Sequence, residues 1–213
     1  MENEKVFAMA RFYLLESSGA RTYQYVWKDT ALGPPMQHQC EACGRTVSEG
    51  TFSGPHHLIL EGGPKYPDRL EFTGAGGSPL LLSERAAAVF AANGITGIAE
   101  TVSVRTARES GDPPDNAPRY VLAKISGRIE LDLPKMCLKK KKLCSVCGSF
   151  EWNRQRMYPL FLDESAWDGS DLCRVDSIPG YVVCTARVVE LVKKQKLKGF
   201  SFDALQDPAD KFL

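Results

Sequence analysis

The chain has no run approaching the roughly 18 consecutive apolar residues of a membrane-crossing helix, so no membrane span is expected. It also lacks net charge: 27 Lys and Arg stand against 26 Asp and Glu, a formal charge of +1. No global field therefore draws it to nucleic acid or anionic lipid, and such binding would need a local patch. Histidine is scarce, with only His38, His56 and His57, and none is spaced with a nucleophile and a carboxylate in a recognisable triad. The adjacent pair His56 and His57 follows Pro55 and is expected in a surface loop. The glycine-rich stretch Gly74-Ala75-Gly76-Gly77 is not followed by the Lys-Ser/Thr of a phosphate-cradling loop. These absences leave no catalytic constellation, and the chain reads as a non-enzyme. No export signal is expected in this stretch, since Glu2 and Glu4 precede Lys5 and Arg11 interrupts the first apolar stretch. The expected compartment is the cytoplasm, where thiols stay reduced. What remains is an ordinary globular composition, 43% hydrophobic and 25% charged in 213 residues, enough for one or two domains with a proper core.

Seven cysteines are present, four of them in two tight pairs. Cys40-Glu41-Ala42-Cys43-Gly44 recurs as Cys144-Ser145-Val146-Cys147-Gly148, 104 positions later. Further on, a shift of 102 aligns Leu70 with Leu172, Ser83 with Thr185, Arg85 with Arg187 and Gly97 with Gly199. The physical pattern repeats with the identities. Ser83 is a good helix N-cap, followed by Ala86, Val89 and Phe90 on one stripe; Thr185 is another, followed by Val188, Leu191 and Val192. Each helix should end before a glycine, Gly97 or Gly199, that turns the chain into a strand. Lys193, Lys194 and Lys196 then suit the negative end of the second helix dipole. Alternating residues predict a strand upstream of each Cys pair, one through Tyr23, Tyr25 and Trp27, the other through Ile125, Gly127, Ile129, Leu131 and Leu133. An additional strand is expected within residues 6–15, and residues 53–78 read as loop-rich.

The fold class is therefore α+β: two pseudo-repeated halves of strand, Cys knuckle, strand, helix and strand, packed around a shared structural zinc. The first half is 1–109 and the second 119–213; the proline-rich segment 110–118 links them in what is expected to be one compact domain. Two cysteines two residues apart, followed by glycine, turn both sulfurs toward one point, and zinc takes four such ligands. Cys40, Cys43, Cys144 and Cys147 together complete one site, which would tie distant parts of the chain together. Four cysteines leave no open position for water, so catalytic zinc is not expected. A dithiol redox site is the competing reading of Cys-x-x-Cys, although no apolar helix starts at either pair. Cys137 is an alternative ligand by proximity, and Cys173 and Cys184 read as buried small hydrophobes. The four lysines at 139–142 read as a solvated loop, with phosphate contact as the alternative. Trp167-Asp168-Gly169-Ser170-Asp171-Leu172 predicts a sharp turn entering a strand, with Trp167 covering the core edge.

Paired Cys-x-x-Cys-Gly motifs about a hundred residues apart, the Trp167–Leu172 phrase, and a late helix ending in Leu197-Lys198-Gly199-Phe200 resemble the myxobacterial double-CXXCG motif family over nearly the whole chain. The resemblance implies an immunity protein that binds a polymorphic toxin of the swarming-inhibition type, encoded by the adjacent gene, often a nuclease. It implies a zinc-stabilised, non-catalytic bacterial inhibitor. The balanced charge departs from the acidic mimicry common in nuclease inhibitors, so inhibition would need a local acidic surface or docking away from the nucleic-acid channel. The reading of different class, drawn from the same knuckles and lysines, is a zinc-ribbon nucleic-acid-binding or regulatory protein.

Overall fold

The computed structural model describes residues 11–17, 37–48, 56–59, 66–70, 80–108, 118–142, 144–147, 150–153, 160–175, 177–178 and 181–205. It is a mixed α+β fold, mostly strands with two α-helices. The first elements are β1 (Phe12–Ser17), β2 (Gln37–Gln39), β3 (Thr46–Ser48), β4 (His56–Ile59), β5 (Arg69–Leu70), β6 (Leu80–Ser83), α1 (Glu84–Ala92) and β7 (Ile98–Ala107). They are followed by β8 (Tyr120–Ile125), β9 (Gly127–Leu131), β10 (Lys140–Lys142), β11 (Phe150–Trp152) and β12 (Leu162–Asp163). A 3-10 turn, Glu164–Ala166, leads to β13 (Leu172–Val175), β14 (Val182–Thr185), α2 (Ala186–Lys194) and β15 (Phe200–Leu205).

Two sheets form the body. One has the order β12-β9-β13-β14-β1-β15 and the other β4-β7-β8-β6-β5. Pairing is antiparallel except for β9 with β13 and β4 with β7. Strand β1 shows why these residues form a doubly covered strand. Phe12 and Leu14 point into one apolar cluster, while Tyr13 and Leu15 pack against the other, as the two-residue period of a strand requires. Strand β14 divides in the same way, Val182 and Cys184 to one side and Val183 to the other. The larger cluster lies under both helices, with Leu82, Ala86, Phe90, Val121, Val188 and Val192. The smaller one lies on the far face of the six-stranded sheet, with Phe12, Ile129, Met136, Leu138 and Val183. Each fully buried large side chain of this kind stabilises the fold by about 1.5–3 kcal/mol.

Both helices begin where the sequence places them, but they are capped differently. The Ser83 hydroxyl accepts from the Ala86 N–H at 3.1 Å, whereas Thr185 makes no such cap bond. Its hydroxyl donates instead to Asp171 at 3.0 Å. Helix α1 buries Ala86 and Phe90, with Val89 half-buried, and α2 buries Val188, Val189, Leu191 and Val192. Lys193 and Lys194 occupy the last turn of α2, and Lys196 lies just past it at φ 51°.

Two corners of the body carry matching contacts. Asp68 accepts from Ser83 Oγ at 2.8 Å, Arg85 at 3.2 Å and the Lys198 N–H at 2.9 Å. Asp171 accepts from Thr185 Oγ1 at 3.0 Å, Arg187 at 2.8 Å and the Thr96 N–H at 3.0 Å. Arg85 also donates to the Gln195 carbonyl, and Arg187 to that of Asn93. Gly97 and Gly199 sit at φ 94° and 86° at the starts of β7 and β15. A Cβ on Gly97 would lie 2.0 Å from the Leu172 carbonyl oxygen, and one on Gly199 2.3 Å from that of Arg69. The partners at the two corners stand 102 apart for Ser83 and Thr185 but 103 apart for Asp68 and Asp171. Strand register agrees: Arg69 opposes Leu82 as Leu172 opposes Cys184. Leu172 thus takes the place of Arg69, not that of Leu70 as the gapless alignment has it.

Several other expectations meet the structure differently. His56 and His57 lie in β4, parallel to β7, rather than in a loop, and β5 also falls inside the loop-rich stretch. The expected strand through Tyr23, Tyr25 and Trp27 lies outside the described residues, as does most of 110–118. The strand expected through Leu133 ends at Leu131, where Pro134 and the turn at 133–137 follow. The additional strand near the start is present as β1.

Candidate metal centre

The four knuckle cysteines are carried by two short hairpins. Strands β2 and β3 flank the first, and β10 and β11 flank the loop holding the second. At the first knuckle the Cys40 carbonyl accepts from the N–H groups of Cys43 at 3.2 Å and Gly44 at 2.7 Å, while the Cys40 N–H donates to Arg45 at 2.9 Å. Closing so tight a turn puts Gly44 at φ 68°, in the left-handed region that glycine adopts without strain. Gly148, its counterpart, lies outside the described residues. The second hairpin is anchored at its base: Asn153 receives the Lys139 N–H at 2.8 Å and donates to the Cys137 carbonyl at 3.3 Å. Just before it, Met136 and Leu138 are buried in the smaller apolar cluster.

The hairpins bring the sulfurs together. Cys40 Sγ lies 3.7 Å from Cys144 Sγ, Cys43 Sγ lies 3.6 Å from Cys147 Sγ, and all four lie within 4.8 Å of one another. A tetrahedron with zinc–sulfur bonds near 2.3 Å has edges of about 3.8 Å, so the arrangement is compatible with a tetrahedral metal site. Cys40 and Cys144 are buried, and Cys43 and Cys147 are half-buried. The chemistry of the donors fits a soft or borderline cation, and a closed four-sulfur set holds it without a position for water.

Electrostatics among the four thiols follow from the same turns. The N–H groups of Cys147 and Val146 donate to the Cys144 sulfur and hold its pKa below the ordinary thiol value. At Cys40 the Ala42 N–H acts in the same direction. Burial and the neighbouring thiols of Cys147 and Cys43 outweigh it and push Cys40 up to about 11. Adjacent sulfurs cannot all ionise without a cation between them.

The remaining candidates fall outside this cluster. Cys137 is exposed at φ 51° and is not among the clustered ligands. Cys173 and Cys184 are buried in the strands, where burial pushes both thiols up, Cys173 to about 12. His38 stands opposite Val47 in the first hairpin. Lys140 and Lys142 are in a strand rather than a loop, opposite Trp152 and Phe150. Trp167 packs edge-on against Phe12 with ring centroids 5.1 Å apart and donates to the Ser170 carbonyl at 2.9 Å, and Arg11 lies over it at 4.7 Å. Gly169 at φ 87° makes the turn into β13. Sequence reasoning gave no role to Asp68 or to Asp171, which stand just before β5 and β13, the strands that pair with those leading into the helices. No helix among the described residues is long and apolar enough to cross a membrane. The chain matches no protein-family model and no curated protein sequence.

Proposed function

We propose that the chain is a non-catalytic, zinc-stabilised binding protein of two pseudo-equivalent halves, and that it acts in the cytoplasm as an immunity protein against a cognate polymorphic toxin. The observation that carries the zinc reading is the closed set of four sulfurs drawn from knuckles 104 residues apart. Matching corner contacts at Asp68 and Asp171 support the pseudo-equivalence. The immunity reading rests on the resemblance to the double-CXXCG family, and a rigid metal-braced scaffold suits a preformed stoichiometric binder. Bound zinc would supply charge neutralisation for the clustered thiolates; Cys40, Cys43, Cys144 and Cys147 would hold it.

The test is co-expression with the product of the adjacent reading frame. Rescue from its toxicity together with a stable 1:1 complex is the expected result, and absence of both overturns the reading for that pair. Metal content checks the shared site separately: about one zinc per chain is expected, and two per chain would refute it.

A second reading has one observation in its favour. The strand register sets Lys140 and Lys142 opposite Trp152 and Phe150 in the hairpin that carries the second knuckle, and basic and aromatic residue types are those that single-strand binding draws on. Binding of single-stranded DNA or RNA that weakens steeply between 50 and 200 mM salt, on the order of the losses typical of phosphate contacts, would favour it.

A further inference from the structure

The two sheets are sewn together independently of the four knuckle cysteines. Strand β1, from the first half, lies between β14 and β15 of the second: Phe12 opposes Thr185 on one side and Leu205 on the other. Strand β8, from the second half, lies between β6 and β7 of the first: Tyr120 opposes Ser83 on one side and Val104 on the other. The residues just before these strands act alike, since the Arg119 carbonyl receives the Glu84 N–H at 2.8 Å and the Arg11 carbonyl the Ala186 N–H at 3.2 Å. Each half therefore contributes its first described body strand to the interior of the other half's sheet.

The corners are reciprocal as well. Asp171 of the second half fixes the Thr96–Gly97 turn of the first, and Asp68 of the first fixes the Lys198–Gly199 turn of the second. The larger apolar cluster draws on both halves. The sulfurs, by contrast, sit on hairpins that pair within themselves, β2 with β3 and β10 with β11, and join neither body sheet.

We infer that the body is a fused pair of strand-exchanged halves whose integrity does not depend on the metal, and that the metal is a local latch. It holds the two knuckle hairpins against each other on a body that stays folded when it leaves. The inference rests on the metal reading above and adds where the metal acts. Removing the ion leaves four sulfurs without a common partner, two of them buried, and frees the hairpins to separate. The interleaved strands β1 and β8 lose no hydrogen bond.

Thiol counting on the full chain reads this directly. In the zinc-loaded native protein one thiol, the exposed Cys137, reacts promptly with a disulfide reagent. After chelation the count rises to five as the knuckle thiols become accessible, while Cys173 and Cys184, buried in β13 and β14, stay at least tenfold slower. All seven reacting together after chelation would overturn the inference, because the body would have opened with the latch. Five prompt thiols in protein without metal that takes up no added zinc would instead refute the metal reading. A second arm removes both covalent and metal links between the halves. A protease site is placed within 110–118 of the full chain, the chain is cut, and zinc is chelated. One particle containing both fragments is expected by gel filtration; separation into two would overturn the exchange.

Discussion

Gly97 and Gly199 are where one atom decides whether a turn can seat against the facing strand. At each, an added Cβ would fall within 2.3 Å of a backbone oxygen on the facing strand, at a positive φ that already disfavours a side chain. Changing either to Ala should therefore destabilise the protein by about 3 kcal/mol, visible as a lowered urea midpoint. Gly44 also has a positive φ, but nothing lies within 4 Å of its Cβ position, so Gly44→Ala should cost only about 1 kcal/mol. Asp168 offers a pH test. Burial raises its pKa, but the N–H groups of Ser170 and Arg128, each at 2.9 Å, outweigh this and hold the carboxyl below its ordinary value of 3.8. A carboxylate with a lowered folded pKa stabilises the fold at pH values above its ordinary pKa, and that contribution is lost as pH falls through the folded value. Asp168→Ala should thus destabilise the fold at pH 7, and the difference from the unaltered protein should shrink below about pH 4. An undiminished difference at pH 3 would contradict this assignment.

At the scale of the element, the two helices begin from similar sequence and use their first hydroxyl differently. Ser83 is buried and bonds both Ala86 N–H and Asp68, so Ser83→Ala should cost about 2 kcal/mol in a denaturation midpoint. Thr185 bonds only Asp171 and caps nothing, so Thr185→Val should cost nearer 1 kcal/mol. The elements also show what was readable in advance. The apolar stripes of α1 and α2, their starting residues and the glycines after them were legible because helix period and capping are local rules. The clustering of the four cysteines was legible for the same reason: Cys-x-x-Cys fixes its own geometry. Strand β4 was not, since His56 and His57 carry no alternation and pair with β7 only through distant register. Asp68 and Asp171 were opaque because an aspartate before a strand looks like any turn residue until the opposite corner arrives.

For the whole molecule, the two Cys pairs announced that distant segments meet, and the structure shows more than one way in which they do so. The partners of β1 are β14 and β15, nearly the length of the chain away, and no periodicity within residues 11–17 encodes that choice. On the proposed reading, the zinc site and the interleaved sheets are separate devices with separate sensitivities. A Cys144→Ser protein should lose zinc at least tenfold more readily to a chelator while retaining a cooperative thermal transition. Asp171→Ala should do the reverse, keeping its zinc and losing about 3 kcal/mol of stability, because a buried carboxylate serving Thr96, Thr185 and Arg187 would leave those donors unanswered.

The placement of β1 has a bearing on how the chain is made. Its two neighbours, Val182–Thr185 and Phe200–Leu205, are among the last described segments to leave the ribosome. The first described strand must wait for the last described ones before it has an edge to join, and the sheet containing β6 and β7 must wait for β8. Vectorial, half-by-half folding during synthesis is closed to this topology, and long-range pairing of this kind slows the search for the native state. Nascent chains halted shortly after residue 108 should resist a protease no better than unfolded ones, with protection of β1 arriving only once β14 and β15 have emerged.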